Sequence, residues 1–242
     1  LLQRVSSEMD GSRICIVSSG STDGTDEIAK TWVSRHPRIR LITESTRRGK
    51  ARAINRFLET VNADTEAVIL ISGDVIPAPG SLKRLVQPLS NPKIAMTGGR
   101  PSPINPRKGW VNRIVHFQWI LLDQIARSRP KLGEMVAFRL PIEPLDPETV
   151  VDEAALEAQL TKGCGELAYV ANAMVHNQGP QCWSDLIKQR ERIWIGHRRL
   201  LQRTGYRVST HRIRDLIPSA LRFVLQHPSW TLTAIAAGLV EI

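Results

Sequence analysis

The chain has 242 residues, of which 42% are hydrophobic, and its 33 Lys and Arg against 23 Asp and Glu give a net charge of +10. This length and composition provide for one large or two small domains with a substantial core, and they exclude an intrinsically disordered chain. The positive charge favours anionic partners, namely nucleotide phosphates, nucleic acid or acidic lipid headgroups. The cysteines, Cys15, Cys164 and Cys182, show no CxxC pair or metal-ligand spacing, which argues against a zinc module.

Strands alternate with helices over the first part of the chain. Apolar or β-branched runs at 13–17, 38–43 and 68–71 predict strands, and each is followed by a polar turn and a segment with helical spacing or a helix-start signal. Such alternation predicts an α/β fold with a parallel, doubly wound sheet, in which ligands bind at the carboxyl ends of the strands. The polar turns at 18–23 and 72–74 both fall at that edge.

Further elements follow in the second half of the chain. We expect a strand at 94–99, a long amphipathic helix at 110–127, a helix at 151–160, a strand at 167–171 and a helix at 183–202. A basic stretch begins in the last of these helices. Between residues 188 and 214 it contains nine Lys or Arg and a single acid, Glu191. This stretch is either a solvated basic surface or a segment that lies near phosphates and anionic lipid headgroups.

The composition shifts again at the end of the chain, where residues 230–240 are almost wholly apolar. Those 11 residues are fewer than the roughly 20 that a helix needs to cross a bilayer. Either this is a buried or interfacial helix, or the sequence ends inside a membrane helix, and the composition favours the second. We therefore predict a membrane-associated segment at 216–242.

Five motifs in a fixed order carry a resemblance to a known family. The stretches "VSSGSTDGT", "RRGKARAIN", "VILISGDVIP", "VVDEAALEAQL" and "QRERIW" resemble glycosyltransferase family 2, the inverting enzymes with a GT-A fold that use nucleotide sugars. The similarity runs from about residue 13 to about residue 197. It implies a Rossmann-like, mostly parallel sheet with flanking helices. It also implies that the family's first strand is missing here, so that residues 1–9 correspond to the helix after it.

The resemblance also implies an organisation along the chain. Residues 1–145 would bind the nucleotide sugar, and residues 146–215 would contribute the acceptor site and the catalytic base of the same domain. Residues 216–242 would form the membrane-associated segment.

A metal site is implied at the end of the third strand. Asp74 is similar to the last acid of the family's D-x-D signature, which binds Mg²⁺ or Mn²⁺ against the donor diphosphate. Ser72 stands where the first acid is expected, with Gly73 between them. The alternative is that Asp74 is only a turn or helix-capping acid ahead of Pro77.

The remaining donor-site candidates are also carried over by the resemblance. They are Ser18, Ser19, Asp23, Arg48, Lys50, Gln189, Arg192 and Trp194. Ser19 replaces an acid that reads uracil or ribose in the family, which weakens any claim that the donor base is uracil. Asp23 is alternatively a helix cap, and Arg48 and Lys50 are alternatively a solvated helix start. Ile193 separates Arg192 from Trp194 and departs from the family's Q-x-x-R-W element.

Two acids just before an apolar helix are the candidate catalytic pair. Acids at a helix N-terminus are commonplace partners of the helix dipole, so position alone says little about Asp152 and Glu153. The resemblance implies a general base here, at Glu153 in the favoured register or at Asp152 in the alternative one. The stretch "KLGEMVAFR" resembles the lining of the acceptor site, which makes Gly133 and Glu134 candidate acceptor contacts.

The expected function is therefore that of an inverting glycosyltransferase, with a divalent cation, Mg²⁺ or Mn²⁺, assisting the leaving group. The donor would be a UDP- or GDP-sugar, and the acceptor a hydroxyl of a lipid or polysaccharide at the cytoplasmic face of a membrane. One alternative is a non-catalytic GT-A scaffold or sugar-binding protein, motivated by the serine at position 72. Another is a basic nucleic-acid-binding module, which no motif supports, so no nucleic-acid partner is expected. The sequence leaves the sugar and the oligomeric state open.

Overall fold

The computed structural model describes residues 1–209 and 213–240, without the side chains of 213–215. The last residues of the predicted basic stretch, 210–214, therefore lie outside the described side chains. The helices are α1 (Leu2–Glu8), α2 (Thr25–Arg35), α3 (Lys50–Leu58), α4 (Ser81–Val86), α5 (Trp110–Ala126), α6 (Asp152–Lys162), α7 (Trp183–Thr204), α8 (Ile213–Gln226) and α9 (Thr231–Val240). The strands are β1 (Ile14–Ser19), β2 (Ile39–Glu44), β3 (Ala67–Ile71), β4 (Ile76–Pro77), β5 (Ile94–Pro103), β6 (Met135–Arg139) and β7 (Glu166–Asn177).

The strands form two sheets, and the expectation of a mostly parallel sheet is corrected. Strands β1 and β2 pair in parallel by themselves. The larger sheet has the order β3-β6-β5-β7-β4, in which only β5 and β7 pair in parallel. The reason is β6, which enters between β3 and β5 and runs antiparallel to both. The α/β architecture itself is confirmed.

A cavity of about 2990 Å³ separates the two sheets. Residues of both β1 and β3 line it. Within the described residues, β1 pairs only with β2, and β3 pairs only with β6. The carboxyl ends of β1 and β3 open into the same space, so the polar turns that follow them meet there.

The long helix α5 is covered by the last two helices of the chain. Its apolar side packs into one cluster with α8 and α9, in which the Phe117 and Phe223 rings lie 5.8 Å apart. The Phe223 ring also lies 5.8 Å from the Trp230 ring. Across the described part of the chain, no helix has both the length and the apolar character needed to cross a membrane.

The first helix is fixed by hydrogen bonds to later parts of the chain. The Glu8 carboxylate accepts from the backbone N–H groups of Gly80 (2.8 Å) and Leu82 (3.2 Å), at the start of α4. The Arg38 guanidinium donates to the carbonyl of Met9 at 2.7 Å and to that of Ser6. A carboxylate at a helix N-terminus satisfies N–H groups that otherwise lack partners. Helix α1 thereby supports the segment that follows β4.

Candidate active site

The turn after β1 is packed against the loop before α3. Gly20 has φ +64°, and a Cβ added there would lie 2.4 Å from the backbone nitrogen of Arg47. The Ser19 hydroxyl donates to the carbonyl of Thr46 and accepts from the backbone N–H of Arg48, both at 3.2 Å. Only a glycine permits this close approach with a left-handed backbone. The two loops therefore form one rigid wall of the cavity.

The predicted donor residues of this wall serve partly to hold it together. Ser18 and Ser21 share a hydroxyl hydrogen bond of 2.8 Å. Asp23 accepts from the hydroxyl (2.6 Å) and the N–H (3.2 Å) of Thr25, and these hydrogen bonds lower the pKa of Asp23. Asp23 thus hydrogen-bonds the first residue of α2 from the position before its N-cap residue, Gly24, and it also lines the cavity.

The basic loop contributes a different arginine from the predicted one. Arg47 lines the cavity, whereas Arg48 is absent from its lining among the described residues. The Arg48 side chain instead donates to the Thr46 hydroxyl at 3.2 Å. Sequence reasoning could not separate the neighbours because both follow the same turn.

Ser72, Gly73 and Asp74, which follow strand β3, line the cavity; their predicted roles in nucleotide and metal binding stay predictions. The backbone N–H of Ser72 donates to the carbonyl of Glu134 at 3.3 Å, which joins this turn to the start of β6. Asp74 is exposed, and within residues 1–209 and 213–240 its carboxylate has neither a hydrogen bond nor an ion pair. The Asp74 carboxylate thus lines the cavity and takes part in no described interaction that stabilises the fold.

The predicted acid pair lies in the same cavity and is held by a lysine. The Lys50 ammonium lies 2.6 Å from Glu153 Oε1 and 2.8 Å from Asp152 Oδ2. Lys50 is the first residue of α3, and the acids are the first two residues of α6. Lys50 was predicted beside the nucleotide, and its contact with the acids had no signal in the sequence.

The two acids of the pair differ in their electrostatic setting. Burial alone would raise the pKa of Glu153, but the positive charges of Lys50 and Lys131 outweigh it, so the pKa is lowered. For Asp152, burial and the neighbouring charge of Glu153 dominate and raise the pKa. The site therefore favours the ionised form of Glu153 more than that of Asp152.

Glu134, a predicted acceptor residue, is the third acid of the site. Burial and the negative charge of Glu153 raise its pKa to about 7, with Asp74 adding to the effect and Lys50 opposing it. Its backbone has φ +62°, an uncommon conformation for a glutamate. Glu134 thus lies within electrostatic reach of both Asp74 and the acid pair, and its neighbour Gly133 also lines the cavity.

Two charged residues that act electrostatically on the acid pair were missed by sequence reasoning. Glu157 is fully buried one turn after Glu153, and it accepts from the N–H of Leu132 (2.6 Å) and the hydroxyl of Tyr206 (2.9 Å). Burial raises the pKa of Glu157. Lys131 lines the cavity and acts electrostatically on the acids at 134, 153 and 157. The sequence did offer one signal for Glu157, because an acid four residues after the predicted base lies on the same face of the helix.

Helix α7 brings Gln189, Arg192 and Trp194 to the cavity, as predicted. The Arg198 guanidinium lies 5.2 Å from the centre of the Trp194 ring, so one face of that ring is already occupied by a cation–π contact. Arg192 is exposed and, within the described residues, has no hydrogen-bond or ion-pair partner. It offers a free cation to an anionic ligand.

The residues at the Asp74 turn fit a divalent cation in one specific way. Among the residues that the structure describes, no group of three or more His, Cys, Asp or Glu could form a complete cage. Mg²⁺, however, usually binds through one or two carboxylates together with substrate phosphates. The unused carboxylate of Asp74 fits that mode, in which a nucleotide supplies most of the ligands.

Comparison with known proteins gives a family match and a fold match. The family model described as Glycosyl transferase family 2 matches residues 1–139. The mannosyltransferase PcManGT from Pyrobaculum calidifontis, solved with GDP-Man and Mn²⁺, superposes with a TM-score of 0.65 at 20% identity, over 98% of this chain and 68% of that one. A crystal structure of a mycobacterial protein gives a TM-score of 0.56 at 20% identity, over 86% and 70%. No curated protein sequence matches the chain.

These comparisons bear differently on the parts of the site. At 20% identity the solved structures show the fold alone, which is GT-A-like. The family match covers the β1 turn, the Asp74 turn and Glu134, and it ends at Arg139, before the acid pair. The position of Asp152 and Glu153 therefore rests on the geometry of this structure. Because the family match covers more than half of the sequence, the chain belongs to glycosyltransferase family 2.

Proposed function

We propose that this glycosyltransferase moves a sugar from a nucleoside-diphosphate donor to a hydroxyl of a lipid or polysaccharide acceptor, with inversion at the anomeric carbon. One observation carries the proposal. An unused carboxylate at the end of β3 and a lysine-held acid pair at the start of α6 line the same cavity. A leaving diphosphate and an attacking hydroxyl need these two kinds of group on opposite sides of the reacting carbon.

The donor would lie along the wall formed by the β1 turn and the Asp74 turn. The presence of GDP-Man and Mn²⁺ in PcManGT supports a nucleotide-sugar donor and a divalent cation, with Ser19 giving no reason to prefer UDP. We place Ser18, Ser19, Asp23, Ser72 and Gly73 beside the nucleotide. Bound at Asp74, Mg²⁺ or Mn²⁺ would offset the negative charge that develops on the departing diphosphate.

Glu153 would act as the general base. The acceptor hydroxyl gives its proton to the Glu153 carboxylate as its oxygen bonds to the anomeric carbon. The bond from that carbon to the phosphate oxygen breaks on the opposite face, and the nucleoside diphosphate leaves. Lys50 keeps the base ionised and fixed, and Glu134 would hold the acceptor. Arg192 would bind the diphosphate on the α7 side.

We place the reaction at the cytoplasmic face of a membrane. The support for this is the net charge of +10 and the concentration of Lys and Arg on α7, which favour an anionic lipid surface.

The proposal is tested by calorimetric titration of the full-length chain with GDP and UDP, with and without Mn²⁺. We expect binding that strengthens with Mn²⁺, and we expect Asp74→Asn to remove the effect of the metal while leaving metal-free binding in place. Asp185→Asn is the matched control, since Asp185 is an exposed acid in the first turn of α7, outside the cavity lining. Absence of nucleoside-diphosphate binding under all of these conditions would overturn the proposal.

A non-catalytic member of the family is the second candidate, because Ser72 brings no charge where the first acid of the D-x-D signature is expected. It predicts nucleotide binding without hydrolysis or transfer of the sugar. Turnover that is lost in Glu153→Gln would rule this candidate out.

A further inference from the structure

The cavity continues beyond the carboxylates into an apolar groove. On that side its walls come from α5, α8 and α9 and include Val115, Leu122, Ile217, Leu221, Val224 and Ile235. We refer to this part of the cavity as the tail groove. These side chains carry no hydrogen-bonding groups. Gln118 of α5 and Thr231 of α9 are polar residues of the same lining, so the tail groove is predominantly apolar.

The tail groove leaves large aliphatic side chains in contact with solvent. Ile217 is 61% exposed, Leu221 is 57% exposed and Ile235 is 57% exposed. Ile217 and Leu221 are four residues apart and so lie on one face of α8. A soluble domain rarely groups exposed aliphatic side chains around a concave surface unless that surface binds something.

Helix α7 connects the tail groove with the acid pair. Leu186, near its start, is buried in the cluster formed by α5, α8 and α9. Gly196, further along the helix, lies so close to the start of α6 that an added Cβ would be 2.7 Å from Val150 and 2.9 Å from Val151. The ten helical steps from Leu186 to Gly196 span about 15 Å. Along this span Gln189, Arg192 and Trp194 line the cavity.

We infer that the acceptor is an amphiphile, whose apolar chain lies in the tail groove and whose hydroxyl reaches Glu153. This rests on the proposed function and selects a lipid over a polysaccharide, because the mostly aliphatic walls of the groove offer a sugar polymer few polar partners. The continuity of the cavity with the acids distinguishes this occupant from a partner that merely covers the outer surface of the last two helices.

The experiment measures binding of bromine-terminated butanol, octanol and dodecanol to the full-length chain. Trp119 and Trp194 line the cavity, so a bromoalkyl chain bound there quenches tryptophan fluorescence. We expect affinity to rise with chain length, by up to about fourfold for each methylene that enters the groove. Leu221→Asn and Ile235→Asn should each weaken dodecanol binding about tenfold and change butanol binding little. Both positions are more than half exposed, so these variants keep their folded packing.

Matched controls are present on the same two helices. Leu225 on α8 is 72% exposed and Leu239 on α9 is 70% exposed, and neither is among the described residues that line the cavity. Leu225→Asn and Leu239→Asn should leave dodecanol binding within about twofold of the native value. A sugar-transfer assay on the same alcohols should show the same pattern in the acceptor KM.

Three results would overturn the inference. The first is affinity that does not depend on chain length, and the second is an equal loss in the groove and control variants, as expected for a helix pair that lies flat on a bilayer. The third is a dimer in sedimentation that the groove variants dissociate, which would make a second copy the occupant. Nucleoside-diphosphate binding is measured in parallel. If it is absent while alkyl binding follows the pattern, the proposed function fails and the groove still stands as a lipid site.

Discussion

Replacing Lys50 by methionine tests the electrostatic core of the site. The ammonium lies 2.6 Å from Glu153 and 2.8 Å from Asp152, whose side chains are only 16% and 8% exposed. Removing one partner of a fully buried ion pair costs about 3–5 kcal/mol. The Lys50 side chain is 37% exposed, so solvent screening reduces our expectation to about 2 kcal/mol. For a chain of this size, that lowers the Tm by about 4–8 °C.

The loss of stability in Lys50→Met should be largest near pH 7 and become smaller as the pH falls. The pKa of Glu153 is lowered, so its contribution is present above the ordinary glutamate value of 4.5 and is lost as the pH falls through the lowered value. Burial alone would lower the pKa of Lys50, but the two acids raise it, so its contribution is present below 10.5. Both contributions are complete at pH 7. In Lys50→Met the freed carboxylates take up protons on acidification, so the deficit shrinks toward pH 4.

The measurement is thermal unfolding of the native chain and the variant between pH 4 and pH 7. Arg52→Met is the control, because Arg52 is also on α3 and its partner Glu148 is 72% exposed. An exposed pair of this kind contributes at most about 1 kcal/mol. The pH profile of kcat/KM gives a second readout, since its acidic limb should shift to higher pH when Glu153 loses the positive charge of Lys50. Equal losses in the two variants, or a deficit that is independent of pH, would refute the reasoning.

Further predictions concern single residues. Glu134 has a pKa raised to about 7, so the native chain should lose about 2–3 kcal/mol of stability as the pH rises from 5 to 8, and Glu134→Gln should remove that slope in denaturant titrations. Gly20→Ala should cost about 2 kcal/mol or more, against about 1 kcal/mol for Gly24→Ala, because both have positive φ but only Gly20 meets Arg47. Urea unfolding separates the two. Glu8→Ala should cost about 1 kcal/mol by removing the cap of α4, which hydrogen exchange at the first turn of that helix would report.

The elements that sequence predicted well are those with a clear periodicity. Strands β1, β2, β3 and β5 and helices α5, α6 and α7 begin within a residue or two of the expected positions. Strand β6 was missed because four of its five residues are buried, and a short continuous apolar run shows no alternation. Since β6 runs antiparallel to both β3 and β5, this omission hid two of the three antiparallel pairings of the larger sheet; the third joins the two-residue strand β4, which was also not predicted, to β7.

Site residues could be predicted where a short local motif marks them, and could not be predicted where they depend on contacts between distant parts of the chain. Asp74, Glu134 and the acid pair could be found because each lies in a short motif, and the structure brings all of them to one cavity. The link between Lys50 and Glu153 joins residues 103 positions apart, and no local pattern encodes it. Glu157 was overlooked because an acid inside a helix usually lies on a solvated face, whereas here it is fully buried.

Charge balance explains how one of several neighbouring acids comes to have a lowered pKa. The carboxyls of Glu134, Asp152, Glu153 and Glu157 share the cations of Lys50 and Lys131. Two positive charges cannot stabilise four buried negative ones, so burial raises the pKa of three of these carboxyls. Only Glu153 has its pKa lowered: Lys50 contacts both Asp152 and Glu153, but the charge of Lys131 acts in addition on Glu153. The sequence left the proposed base open between two neighbouring acids, and the added charge of Lys131 favours Glu153.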